Sequence, residues 1–103
     1  MNFMKLWIDD VRECPRSYDV ALHTTSAAIN FIINHRDDIE EMSLDHDAGD
    51  FVSFGGDYIN ILNWMEQYEE LQGYKFKCKV LVHSMNPVAR QNMERIIKKR
   101  GWC

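Results

Sequence analysis

The sequence has no long apolar run. Nothing approaches the ~20 consecutive apolar residues that a membrane helix requires, so a membrane role is not expected. One short apolar stretch near the start runs directly into Asp9-Asp10, which does not fit a secretory signal. Cysteine is scarce. There are three, Cys14, Cys78 and Cys103, with no C-x-x-C pair. An odd, scattered set reads as reduced thiols in a cytoplasmic protein rather than a disulfide framework. Positive charge is also in deficit: 12 Lys and Arg face 16 Asp and Glu, for a net charge of −4. The field of the whole molecule therefore argues against double-stranded nucleic acid as a partner. The local basic run Arg90, Arg95, Lys98, Lys99 and Arg100 reads as a solvated helix face whose cations complement the helix dipole. There is no stripe of alternating basic and aromatic residues suited to single-stranded nucleic acid. Five glycines and two prolines, without low-complexity tracts, exclude a disordered or fibrous chain.

What is present fits one domain spanning residues 1–103. Residues 3–8 form a short apolar run suited to a buried strand. Residues 11–17 carry Pro15 and charges with no helical period, and read as a loop. Tyr18 to His23 alternates weakly, as a strand would. Thr24-Thr25-Ser26 is a run of good helix caps, and Ala28, Ile29, Ile32 and Ile33 then share one helical face. Residues 39–44 form a third strand. Gly49, Gly55 and Gly56 mark a loop over 48–56, with room to move over a ligand. The spacing of Tyr58, Ile61, Leu62, Met65 and Tyr68 predicts a helix over 57–71, which Gly73 stops. Residues 78–82 form the fourth strand. Asn86 and Pro87 suit the cap and first position of a last helix, whose core face is Ala89, Met93, Ile96 and Ile97 and which Gly101 ends. Trp7, Trp64, Trp102, Tyr58 and Tyr68 read as packing residues.

Strands alternating with helices argue an α/β fold, a short, mostly parallel sheet of about four strands with flanking helices. In such sheets ligands bind beyond the carboxyl ends of the strands. The chemistry-bearing residues lie there: Asp9-Asp10 after the first strand, Asp45-His46-Asp47 after the third, His83-Ser84 after the fourth. Carboxylates gathered at one edge repel one another and call for a cation, a shared proton or separation by water. Asp-rich sites with few soft ligands suit Mg²⁺ or Mn²⁺; His46 and His83 widen the choice toward Zn²⁺. The helix beginning at Asn86 aims free N–H groups at the same edge, which favours an anion such as phosphate. His23 and His35 lack such a setting and read as surface or cap residues.

Asp9-Asp10, Asp45 and Ser84, each after a strand, resemble a response-regulator receiver domain. In that flavodoxin-like family the acidic pair and the middle Asp bind Mg²⁺, the middle Asp accepts a phosphoryl group, and the Ser helps sense it. This sequence departs from the pattern: the first helix is not expected, nor is the fifth strand-helix unit with its Lys. A closer resemblance is to the cyclic-phosphate-processing receiver-like family. It rests on Leu6-Trp7-Ile8-Asp9-Asp10-Val11-Arg12, Leu44-Asp45-His46-Asp47, the Gly-rich loop, and His83-Ser84-Met85-Asn86-Pro87-Val88 leading to Asn92-Met93, with Ala89 where Gly is expected.

What this resemblance implies is a metal-dependent phosphoesterase acting on a cyclic phosphate, such as the 2′,3′-cyclic end of a cut RNA or a cyclic nucleotide. Asp9, Asp10 and Asp45 would hold the divalent ion, Mg²⁺ or Mn²⁺, with Asp47 as a further ligand or a group that supports the ligands from behind. His46 or His83 would serve as general acid or base, with His83 the stronger candidate because it directly follows an apolar strand, while His46 between two Asp also reads as a residue pointing into the sheet. Ser84, Asn86, Asn92 and Arg12 would bind the phosphate, Arg12 as a bidentate clamp. Asp45 is alternatively a transient nucleophile. Two other readings stand beside it. One is a non-catalytic module binding a phosphate, a nucleotide or, at the open sheet edge, a protein partner. The other is a stand-alone receiver phosphorylated on Asp45.

Overall fold

A computed structural model describes residues 3–103. Four strands, β1 (Met4–Ile8), β2 (Val20–Leu22), β3 (Ile39–Leu44) and β4 (Lys79–Val82), form one sheet in the order β2-β1-β3-β4. Every pairing is parallel. Three α-helices, α1 (Thr25–His35), α2 (Ile59–Gln72) and α3 (Pro87–Arg100), and one short 3-10 turn over Gly49–Phe51 complete the described fold.

The strands pack by simple alternation. Leu6 and Ile8 of β1 are in register with Met42 and Leu44 of β3, and these with Val80 and Val82 of β4. All six are buried, in one cluster with Ala28 and Ile32 of α1, Ile61, Leu62 and Met65 of α2, and Met93 and Ile97 of α3. All three helices therefore cover the same face of the sheet. Sequence reading expects helices flanking the sheet, and they flank it on one side only. The reason is the segment after β1: residues 9–19 contain no helix. They cross the other face as an extended loop. Asp19 accepts from Lys5 N through Oδ2 at 2.8 Å and donates its own N–H to Lys5 O at 2.8 Å. The Tyr18 ring packs edge-on against Trp7, 5.3 Å between centroids.

The helix boundaries follow the capping chemistry. The Thr24 side chain accepts from Ala27 N at 3.0 Å and starts α1. Asn86 does the same for α3 through Ala89 N at 3.2 Å, with Pro87 next to it. Gly101 ends α3 at φ 76°, in the left-handed region where glycine is favoured. Helix α2 starts at Ile59, two residues later than its apolar period suggests, because the two residues before it are tied elsewhere. Asp57 Oδ1 accepts from Ala48 N at 3.0 Å, and Tyr58 N donates to His46 O at 2.9 Å.

Beyond α3 the chain turns back on β4. Val80 N donates to Trp102 O at 2.7 Å, and the Trp102 indole is buried. Part of the sheet edge that sequence reading leaves open to a partner is thus met by the chain's own backbone. No helix among the described residues is long and apolar enough to cross a membrane.

Candidate functional site

The parallel ladder runs one bond past each strand. Asp9 N donates to Leu22 O at 3.2 Å, Asp45 N to Ile8 O at 2.9 Å, and His83 N to Leu44 O at 2.9 Å. The residues that follow β1, β3 and β4 are thereby held level at one edge. Asp9 is 1% exposed. Its Oδ1 accepts from both Val11 N and Arg12 N at 2.9 Å, which curls the chain tightly after β1. Its Oδ2 lies 2.7 Å from His83 Nε2. Burial pushes the Asp9 carboxyl up, but the Arg12 and Val11 amides and His83 outweigh it, and the group titrates below its ordinary value.

Asp9, Asp10 and Asp45 each offer an oxygen within 4.8 Å of the others. Asp10 titrates above its ordinary value, first through burial and then through the charges of Asp9 and Asp45. Below the trio the Tyr58 ring is fully buried, with its hydroxyl donating to His23 O at 2.6 Å. Burial and the same carboxylates push that phenol strongly up. Gly49, at φ 55°, completes the wall. A Cβ there would stand 2.0 Å from Asp10 Oδ2, so any other residue would displace this carboxylate and strain the left-handed backbone.

A compact set of hard oxygen donors with mutual repulsion fits a hard divalent cation such as Mg²⁺ or Mn²⁺. Asp47 lies elsewhere. It joins His46 and Asp57 in a second group, with His46 Nδ1 2.7 Å from Asp47 Oδ1. His46 is partly buried while the Asp47 carboxylate is largely exposed. Its backbone N–H donates to Asp45 Oδ1 at 2.8 Å, which links the two groups.

His83 is held on three sides. Besides Asp9, its Nδ1 lies 2.7 Å from Ser43 Oγ. Its ring lies flat on Trp7, with centroids 3.9 Å apart and planes 5° from parallel. Arg12 reaches over the site from its exposed loop and donates through its guanidinium to His83 O at 3.0 Å. Ser84 is buried and its Oγ accepts from Asn86 N at 3.2 Å, leaving the hydroxyl proton for another acceptor. The Asn86 side-chain oxygen is occupied in capping α3. Asn92 is exposed on α3, six residues past the cap, or about 9 Å along the axis. It stands apart from the carboxylate trio.

Several contributors escape sequence reading. Ser43 and Trp7 are neutral strand residues, and only the two-residue alternation toward Asp45 and Asp9 places them on the site's side of the sheet. Asp57 reads as the first residue of the predicted 57–71 helix, whereas its Oδ1 accepts from Ala48 N at 3.0 Å and α2 begins only at Ile59. His23, read as a surface residue, is exposed, yet its Nδ1 lies 3.0 Å from Asp9 O. The Gly-rich loop is pinned rather than free. Phe54 O accepts from Ser26 N at 3.0 Å and from Ser26 Oγ at 2.7 Å, and Gly56 O accepts from Thr25 Oγ1 at 2.9 Å.

A cleft of about 690 Å³ lies at the other end of the sheet, lined by Phe3, Arg36, Ile39 and Tyr74 among others. Within it the Tyr74 hydroxyl donates to Asp37 at 2.7 Å, and it holds none of the residues just described.

Comparison with curated proteins and with solved structures gives no significant match. The family model for the cyclic-phosphate processing receiver domain matches residues 4–99. The match covers all four strands, the carboxylate trio, the His46–Asp47 and His83–Asp9 pairs and nearly all of α3. With its parallel receiver-like sheet and its acidic carboxyl edge, this chain belongs to the cyclic-phosphate processing receiver domain family.

Proposed function

We propose that this domain is a metal-dependent phosphoesterase that opens a cyclic phosphate. The observation that carries the reading is the meeting of Asp9, Asp10 and Asp45 within 4.8 Å at the edge where Ser84 and the start of α3 also lie. Oxygen-only donors favour Mg²⁺ or Mn²⁺, and such an ion, when bound, polarises a phosphoryl oxygen and lowers the pKa of a bound water.

The protein groups divide the remaining work. Hydrolysis of a cyclic phosphodiester adds water to phosphorus, breaks one phosphorus–oxygen bond to the sugar, and leaves a phosphomonoester and a hydroxyl. A base must take a proton from water and an acid must give one to the departing oxygen. His83 is poorly placed for either role, since both its nitrogens are engaged inside the protein. His46 suits them better. Asp47 orients its Nδ1, and Nε2 has no protein partner among the described contacts, the arrangement of a base steadied by a carboxylate. The Ser84 hydroxyl and the α3 N-terminus stabilise charge developing on the phosphoryl oxygens. Arg12 supplies a cation over the same edge.

The test is a turnover panel of 2′,3′-cyclic mononucleotides, cyclic-phosphate-ended RNA and cyclic dinucleotides, each with Mg²⁺, Mn²⁺ or EDTA. Metal-dependent release of a monoester from one class establishes the reading and names the substrate. Folded protein that binds the substrates without turnover replaces it with a binding module. Acyl-phosphate labelling of Asp45 without hydrolysis replaces it with a phosphorylation switch.

A further inference from the structure

Ser43 has no place in the chemistry above, yet it is one of the few buried polar residues, 4% exposed. It lies on the sheet face that carries no helix, in register with Trp7 of β1 and Leu81 of β4. His83, two residues beyond Leu81, projects from the same face. Its ring folds back across β3, so that Nδ1 meets Ser43 Oγ at 2.7 Å and Nε2 meets Asp9 Oδ2 at 2.7 Å. The ring plane is fixed as well, by the parallel Trp7 indole 3.9 Å away. An imidazole needs one nitrogen bond and one face contact to fix its plane; a second nitrogen bond removes the remaining ring flip.

We infer that Ser43 is a positioning residue of the site: by holding His83 Nδ1 it keeps Nε2 on Asp9, and so holds the Asp9 carboxylate in the orientation that faces Asp10 and Asp45. This rests on the proposal that the three carboxylates hold a divalent ion. Partners that orient ligating groups from behind tune metal affinity about 10-fold or more when removed. Trp7 acts with Ser43 by supplying the flat wall. A Ser at this position also keeps the space small; a long side chain would push the ring off Trp7 and away from Asp9.

The experiment compares Ser43→Thr with Ser43→Val, which differ in shape by little more than a hydroxyl for a methyl. Two readouts are taken on the full chain. The first is ¹⁵N-edited NMR of the His83 imidazole N–H that faces Asp9, without metal. The second is Mn²⁺ affinity by titration. Wild type and Ser43→Thr are expected to show a slowly exchanging imidazole proton and equal Mn²⁺ affinity. Ser43→Val, still folded by circular dichroism, is expected to lose the protected proton and bind Mn²⁺ about 10-fold more weakly. A Ser43→Val protein that keeps both the proton and the affinity overturns the inference, as does Ser43→Thr failing equally with it. If wild type keeps the protected proton and binds no Mn²⁺, the metal reading fails, and the lock between Ser43 and His83 stands as a structural contact alone.

Discussion

His83 reaches back from the end of β4 to place Nε2 2.7 Å from Oδ2 of Asp9 at the end of β1. The two residues are 74 positions apart and their strands are not neighbours, since β3 lies between them. The bond therefore spans β3 and ties the turn after β1 and the turn after β4 into one unit. Asp9 is almost wholly buried, so removing its partner leaves a charged oxygen with nothing to replace water. His83→Ala is expected to lower stability by about 2–3 kcal/mol, as for a hydrogen bond to a buried charge. Urea unfolding of the two proteins measures it, and a loss under about 0.5 kcal/mol, the range of ordinary surface changes, would show that the bond is dispensable.

Gly49→Ala tests the approach of the loop to Asp10. The new Cβ would fall 2.0 Å from Oδ2 at a backbone φ of 55°. The left-handed conformation alone costs about 1–2 kcal/mol for a residue with a Cβ, and Asp10 must move aside. The expected result is a stability loss of that order together with weaker Mn²⁺ binding. Unchanged binding would show that Asp10 does not contribute to the cation site.

Asn86→Ala and Thr24→Ala remove equivalent caps from α3 and α1, since each side chain accepts from the backbone N–H three residues on. Each should cost about 1 kcal/mol. Only Asn86 stands at the carboxyl edge of β4. Turnover at matched folded fraction should therefore fall for Asn86→Ala and hold for Thr24→Ala. Equal effects would remove α3's N-terminus from the site.

Glu69 governs acid stability from the opposite end of the molecule. It is buried, and accepts from Phe76 N, Trp102 Nε1 and both Arg100 Nε and a terminal guanidinium nitrogen. Burial pushes its carboxyl up, but the Phe76, Arg100 and Trp102 bonds and the Lys75 charge prevail and hold it below the ordinary 4.5. A depressed folded value means the unfolded chain takes up the proton first as pH falls. The stabilisation is complete above about pH 5 and disappears as pH drops through the folded value. Glu69→Gln should be about 3 kcal/mol less stable at pH 7, as when one partner of a buried pair is removed, with the gap closing as pH falls through the depressed folded value. A gap that is constant with pH would contradict the assignment.

The fold was largely legible because its signals are local. Four short apolar runs, two side-chain caps and two terminating glycines fix the element order, and the acids follow the strands directly. The one-sided arrangement of helices was harder to read. It depends on residues 9–19 crossing the far face as a loop, and nothing in their sequence says which face a loop will cross. Among site residues, Asp9, Asp10 and Asp45 come together because each follows a strand of the same parallel set. Asp47 and His46 turn toward Asp57 instead, since the chain has already left β3 and strand alternation no longer sets direction. The roles of Ser43 and Trp7 depend on a contact across three strands, which no sequence window contains.

The measurement that bears most directly on the central claim is a ³¹P NMR time course of the cyclic phosphate selected by the substrate panel. Wild type and Asp45→Asn are compared with Mn²⁺ and again with EDTA. Conversion to a phosphomonoester is expected for wild type with Mn²⁺, and none above background with EDTA or with Asp45→Asn. Equal conversion by Asp45→Asn, or by wild type in EDTA, would contradict it, because the carboxylate trio and its cation would then have no part in the reaction.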